Sequence, residues 1–179
     1  MAKRVLIIAT DGFEQSELLD PRRALDDAGF ETVLASPENG EIKGWEDKDW
    51  RQSVPVDVAL SEVLAGDFDG LLLPGGQMNP DILCMDEDAV NIVAQMVKAG
   101  KPVAAIYHGP WLLAEAHVIS GRTVTSWPSI RTDLRNAGAT VVDKEVVVDG
   151  NLITSRKPED VPAFSAMLIA ALDDQIERV

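Results

Sequence analysis

The chain is short of the residues that cross-link proteins or hold metals. Cys84 is its only cysteine, so no intramolecular disulfide can form and the chain suits a reducing compartment. His108 and His117 are its only histidines. With one cysteine at these separations they make no metal-ligand spacing, and neither a metal nor a cofactor is expected. Basic residues are scarce: 16 Lys and Arg stand against 30 Asp and Glu, a formal net charge of −14. A basic patch is the usual footprint of a nucleic-acid binder, so nucleic acid is not an expected partner, nor is an anionic membrane surface. No apolar stretch approaches the roughly 18 to 20 residues of a membrane helix. The first apolar run, Val5 to Ala9, is too short for a signal peptide and gives way at once to Asp11. There is no phosphate loop, and no glycine-rich dinucleotide fingerprint follows the first strand. What is there is a globular mixture, 46% hydrophobic and 26% charged over 179 residues. We expect one cytoplasmic domain spanning residues 1–179.

Strand and helix patterns alternate along the chain. Residues 3–9 read as a buried strand ending at Thr10-Asp11-Gly12, followed by a helix over 16–28 that Gly29 stops. Strands follow at 32–35, 70–73 and 103–106, and a short extended stretch at 123–125. Helices are expected over 57–64, 86–99, 111–117, 129–137 and 158–177, while 37–56 reads as a loop or small hairpin. Asp149-Gly150-Asn151 marks a hairpin turn between 146–148 and 152–154. This order predicts an α/β fold with a mostly parallel sheet and helices on both faces. The functional crevice of such a sheet lies at the carboxyl ends of its strands, where the loops 10–17, 74–81 and 107–110 gather.

Tyr107 is the residue of greatest interest. The apolar strand Pro102-Val103-Ala104-Ala105-Ile106 runs straight into Tyr107-His108-Gly109-Pro110 and a helix. Such a strand-to-helix turn strains the backbone at its apex and holds that side chain over the sheet edge, a seat suited to a serine or cysteine nucleophile. A phenol titrates near pH ~10 and is a poor nucleophile at neutrality. Taken alone, Tyr107 reads first as a buried aromatic with a hydrogen-bonded hydroxyl. His108 beside it reads equally as a structural group. Gly75-Gly76 after an apolar strand either makes a tight turn or points amides at a ligand. Glu14 and Glu17 either cap a helix start or, if buried in the crevice, carry raised pKa values. The segment Ile82-Leu83-Cys84-Met85 reads as an apolar packing stretch before the helix at Asp86, so Cys84 is not a replacement nucleophile.

Together these residues resemble the PfpI-like intracellular protease family of the DJ/PfpI superfamily. Val5-Leu6-Ile7-Ile8-Ala9-Thr10-Asp11-Gly12-Phe13-Glu14, then Glu17 before Pro21, is similar to the family's opening. Leu71-Leu72-Leu73-Pro74-Gly75-Gly76 is similar to its second motif, and residues 101–110 resemble its nucleophile elbow apart from Tyr107. Thr125-Ser126-Trp127-Pro128, residues 146–151 and Ser155-Arg156 resemble its C-terminal half. The resemblance implies a flavodoxin-like sandwich related to class I glutamine amidotransferases. It implies members described as cysteine peptidases, glyoxalases or deglycases, and stress proteins. By that resemblance the elbow cysteine is the nucleophile, the histidine matching His108 assists it, and the glutamate matching Glu17 hydrogen-bonds the thiol. Glu14 matches a second acidic position. Asp81 matches a carboxylate that reaches the histidine of a neighbouring subunit, which implies a homo-oligomer. Gly76 and His108 would supply oxyanion amides, with Gly75 beside them, and the ligand would be a small carbonyl compound or a peptide. Tyr107 in the cysteine's place leads to the expectation that thiol-dependent catalysis is lost or very weak. Three alternatives stand beside it: an active enzyme with Tyr107 as acid and Glu17 or His108 as base, an active family hydrolase or glyoxalase whose natural cysteine was exchanged, and a non-catalytic binding or scaffolding stress protein.

Overall fold

The computed structural model describes residues 1–177. In chain order its strands are β1 (Arg4–Ile8), β2 (Phe13–Glu14), β3 (Glu31–Ser36), β4 (Glu41–Glu46), β5 (Asp49–Pro55), β6 (Val58–Ala59), β7 (Gly70–Leu73), β8 (Val103–Ile106), β9 (Thr123–Val124), β10 (Thr140–Val141), β11 (Val146–Asp149) and β12 (Leu152–Ser155). The helices are α1 (Gln15–Asp27), α2 (Met78–Leu83), α3 (Glu87–Lys98), α4 (Pro110–Glu115), α5 (Arg131–Asn136) and α6 (Val161–Glu177), with 3₁₀ turns between some of them. Seven strands form one sheet in the order β11-β12-β8-β7-β1-β3-β6. Every pairing in it is parallel except the hairpin β11–β12.

The alternation of side chains along each strand divides the core in two. Leu6 and Ile8 of β1, Leu71 and Leu73 of β7 and Ala105 of β8 face one layer, closed by Val93 and Met96 of α3, Leu112 and Leu113 of α4 and Leu134 of α5. Val5 and Ile7, Leu72, Ala104 and Ile106 face the other, closed by Leu18 and Leu25 of α1 and Phe164, Leu168 and Leu172 of α6. Strands covered on both faces read as continuous apolar runs, which is why the sequence delimits β1, β7 and β8 to within a residue of their ends. The α/β sandwich predicted from the sequence is the fold found.

Two segments differ from expectation, and a third takes one of the two forms the sequence allows. The helix predicted over 57–64 is instead the short strand β6 and a 3₁₀ turn, Leu60–Glu62. Its backbone is captured by the edge of β3: Asp57 N–H donates to the Leu34 carbonyl (2.9 Å), and the Asp57 carboxylate takes the Leu34 N–H (2.8 Å) and the Arg22 guanidinium (3.0 Å). Tertiary pairing overrides a weak local helix preference. Residues 37–56, for which the sequence allows a loop or a hairpin, form the hairpin β4–β5, which adds to β2 as a second, three-stranded sheet. Asp47 and Lys48 turn it with φ of 52° and 63°, the positive values a tight hairpin turn demands. The segment expected as loop and packing stretch, 74–85, contains α2; its Pro80 sits in the first turn, where a missing N–H costs nothing. No helix among the described residues is long and apolar enough to cross a membrane.

Candidate functional site

The carboxyl ends of β1, β7 and β8 bring together the three loops singled out from the sequence. Tyr107 stands at the end of β8 with φ of 66°, a left-handed value that is costly for a bulky side chain. Main-chain bonds hold it there. Tyr107 N–H donates to the Ser155 carbonyl at the end of β12 (3.1 Å), Trp127 N–H donates to the Tyr107 carbonyl (3.0 Å), and Gly109 N–H donates to the Ile106 carbonyl (2.8 Å). Gly109 and Pro110 then start α4, with Pro at a first-turn position that needs no donor.

The glycine pair touches this turn directly. A Cβ on Gly75 would lie 2.6 Å from the Ile106 carbonyl oxygen, 2.6 Å from Tyr107 Cβ and against Glu17 Oε2. Gly76 has φ of 85°, and a Cβ there would collide with the Gly12 carbonyl and the Glu14 amide. Only glycine lets these three loops approach so closely. Gly75 N–H donates to Glu17 Oε2 (2.9 Å), and Glu14 N–H donates to the Gly75 carbonyl (3.3 Å).

Glu17 is fully buried, and its Oε1 has no hydrogen-bond partner among the described residues. Burial first, then the charge of Glu14, pushes its carboxyl well above the usual range, which favours the neutral acid. Glu14 is half-buried, and burial together with Glu46, Asp47 and Glu159 raises it from 4.5 to about 7. Glu46 and Asp47 come from the β4–β5 hairpin, which β2 places beside the crevice through the Glu14–Trp45 register. Glu159 follows the Arg156 loop, which a two-pronged contact from Arg156 to Asp160 holds in place (2.9 and 3.0 Å). Burial also raises the Tyr107 phenol, with further contributions from Glu17, Glu14 and Glu159.

His108 is buried, and burial lowers it from 6.5 to about 4, which keeps it neutral. Its Nε2 lies 3.2 Å from Ser129 Oγ, while Nδ1 is enclosed without a partner among the described residues. Its ring packs edge-on to Tyr107 (centroids 4.5 Å apart), Tyr107 packs likewise on Trp127 (4.9 Å), and Trp111 lies 5.1 Å from His108. The turn is thus walled by aromatic rings on one side and lined by acids on the other. Trp111 and Ser129 are not apparent as site residues from the sequence. Trp111 directly follows the turn, but its indole N–H, bonded to Asp133 (2.9 Å), gives no local signal.

Asp81 does not join this group within the chain. It is exposed on α2 and lines a separate groove of about 340 Å³ with Cys84, Trp111, Ala114, Glu115 and Asp133. Cys84 is half-buried, and burial pushes its thiol up to about 12. Among the described residues no cluster of His, Cys, Asp and Glu could hold a metal ion.

The family model of the DJ-1/PfpI family matches residues 3–171. The chain belongs to the DJ-1/PfpI family. Among its relatives, general stress protein 18 of Bacillus subtilis is 43% identical over 97% of this chain and 99% of its own length. A deglycase of Thermococcus kodakarensis is 44% identical over 94% of this chain and 99% of its own. Among solved structures, Drosophila melanogaster DJ-1beta has a TM-score of 0.87 at 32% identity, over 96% of this chain and 91% of its own. A two-domain protein of Anabaena variabilis, with DJ-1/ThiJ/PfpI-like and ferritin-like domains, has a TM-score of 0.91 at 37% identity. The match covers 96% of this chain but 48% of that one, so the chain spans about half the length of that DJ-1/PfpI protein.

Proposed function

We propose that this DJ-1/PfpI protein is a stress-response member that keeps the crevice of the family's deglycases and hydrolases but has lost the thiol nucleophile, so that thiol-dependent catalysis is absent or very weak. The observation that carries this reading is Tyr107 at the apex of the turn, with φ of 66°, its Cβ against Gly75 and its phenol pushed further from ionisation than in water. A phenol so placed makes a poor nucleophile, whereas a thiol can be drawn toward its anion at modest cost. The relatives' names, a general stress protein and deglycases, support the wider assignment. The groups that remain fit work on a small carbonyl compound or a peptide carbonyl. Glu17, favoured by burial as the neutral acid, can then donate a hydrogen bond, His108 is a neutral imidazole, and the amides of Gly76 and His108 can meet a developing oxyanion.

The reading includes a cytoplasmic homo-oligomer in which Asp81 of a neighbouring subunit approaches His108. The exposed position of Asp81 on α2, apart from His108 within the chain, supports it. Light scattering at micromolar concentration would refute it by returning a monomer.

The test of the central claim compares the protein with its Tyr107→Cys variant for methylglyoxal consumption and for thiol reactivity across pH. A catalytic nucleophile is typically worth about 10⁴ to 10⁶ in rate, so the variant should gain both a peroxide-reactive thiol and turnover. Equal turnover by the tyrosine form would overturn the proposal in favour of a tyrosine-based mechanism. A variant that gains neither would point to a binding or scaffolding role.

A further inference from the structure

Gln77-Met78-Asn79-Pro80-Asp81 follows the glycine pair, and the proposed function uses only Asp81 of it. Asn79 is fully buried in the first turn of α2, and its carboxamide is wholly engaged with main chain. Oδ1 accepts the Thr10 N–H (2.8 Å), and Nδ2 donates to the Pro74 and Gly75 carbonyls (3.0 Å each). One side chain thereby ties the loop after β1 to the loop after β7.

The Pro74–Gly75 peptide is the link to the site. A trans peptide is planar, with its carbonyl and N–H pointing in opposite directions. Here the carbonyl is held by Asn79 Nδ2, and the N–H of the same unit donates to Glu17 Oε2 (2.9 Å). A rigid plate therefore runs from Asn79 to Glu17, and a bond at its carbonyl strengthens the N–H at its other end. The next carbonyl, of Gly75, is taken by Asn79 and by the Glu14 N–H (3.3 Å), so the following plate is fixed as well. Little slack is left, because Glu17 Oε2, Tyr107 Cβ and the Ile106 carbonyl crowd the same point beside Gly75.

We propose that Asn79 is a positioning residue of this crevice: acting through the Pro74–Gly75 peptide, it holds the Glu17 carboxyl in place beside Tyr107. The proposal rests on the reading of this crevice as the functional site, but its test needs no turnover. Tyr107 is the only tyrosine of the chain, so ultraviolet absorbance of the phenolate reports on this position alone. The acids that bear on the phenol are Glu17, Glu14 and Glu159, and the His108 ring packs against it.

The experiment titrates the phenol in the wild type, Asn79→Ala, Glu17→Gln and the double variant. Glu17→Gln should lower the midpoint by removing a carboxylate that opposes the phenolate. Asn79→Ala should lower it too, because a carboxyl that loses part of the amide bond favouring its charged form is less ionised where the phenol titrates and opposes the phenolate less. In the Glu17→Gln background Asn79→Ala should then add nothing. Loss of packing alone would lower the melting temperature without this dependence on Glu17. The proposal is overturned by an unmoved or raised midpoint in Asn79→Ala, or by the same shift with and without Glu17. Asn79→Ser, which keeps a hydroxyl for one of the three bonds, replaces Asn79→Ala if that variant does not fold, and the same outcomes decide. Because no substrate is involved, a failure here is separable from a failure of Tyr107→Cys to turn over.

Discussion

Adding one methyl group at Gly75 should damage this protein more than its size suggests. The Cβ of Gly75→Ala would lie 2.6 Å from both the Ile106 carbonyl oxygen and Tyr107 Cβ, and against Glu17 Oε2. Carbon atoms in contact prefer about 3.5 to 4.0 Å, so the overlap with Tyr107 Cβ is about an ångström, and that with the Ile106 oxygen somewhat less. None of these atoms can yield cheaply. The Ile106 carbonyl accepts the Gly109 N–H (2.8 Å), and the Tyr107 backbone is pinned at both ends by Ser155 and Trp127. Overpacking of this kind costs about 1 to 3 kcal/mol. Loosening the buried bond from Gly75 N–H to Glu17 adds about 1 to 3 kcal/mol. A total near 3 kcal/mol should lower the melting temperature by roughly 6 to 12 °C in a chain of this size. The assay is thermal unfolding followed by circular dichroism, with Gly66→Ala as control. A Cβ on Gly66 would meet no atom within 4 Å, and its φ is not left-handed, so that substitution should be neutral or stabilise by about 0.4 to 1 kcal/mol. If Gly75→Ala melted as high as the wild type, the close approach of the three loops would be wrong.

Further outcomes follow from burial. His108, lowered from 6.5 to about 4, should remain neutral at pH 6 by proton NMR; its contribution to stability is full above pH 6.5 and is lost as pH falls toward 4, where the folded state must accept a proton it resists. The raised acids act in the opposite sense. Glu14 contributes fully below pH 4.5 and loses that contribution as pH rises through about 7, and Glu17, raised well above its usual range, extends the loss further. Urea unfolding across pH should therefore decline on the alkaline side less steeply in Glu17→Gln than in the wild type. Cys84, pushed to about 12, should react with iodoacetamide at pH 8 far more slowly in the folded protein than in urea, and Cys84→Ser should leave any turnover unchanged.

The parts legible in the sequence are those set by local pattern. A strand buried on both faces is a short unbroken apolar run, so β7 and β8 can be delimited from residues 70–73 and 103–106 alone. The turn at Tyr107 is equally legible, because an apolar strand meeting Gly109-Pro110 leaves one residue to make the corner. What escapes depends on distant partners. β6 exists because β3 offers it an edge and Arg22 a counter-charge for Asp57. The β4–β5 hairpin places Trp45, Glu46 and Asp47 near Glu14 only because β2 accepts β4 as its neighbour, a pairing between Phe13–Glu14 and Gly44–Trp45 that no local period announces. Asn79 is hidden for the same reason: an asparagine beside a proline looks like a turn signal, and its bonds to Thr10, Pro74 and Gly75 appear only once both loops are in place.

The same environment governs any group placed at position 107. The phenol is raised by burial and by three acids, and a thiol in that seat would meet the same burial and the same field. His108 offers no compensating cation, since burial keeps it neutral. What favours an anion at this point must therefore come from hydrogen-bond donors. Glu17 can be one only as the neutral acid, with Oε2 occupied by the Gly75 N–H and Oε1 left over. Burial supplies that neutrality, and Glu14 reinforces it, because a second carboxylate nearby makes ionisation of Glu17 harder still. Acids that oppose an anion through their charge thus favour one through their proton. Which effect wins depends on the protonation of Glu17, and the Gly75 amide, on the peptide held by Asn79, pulls that carboxyl back toward its charged form against burial and the neighbouring acids.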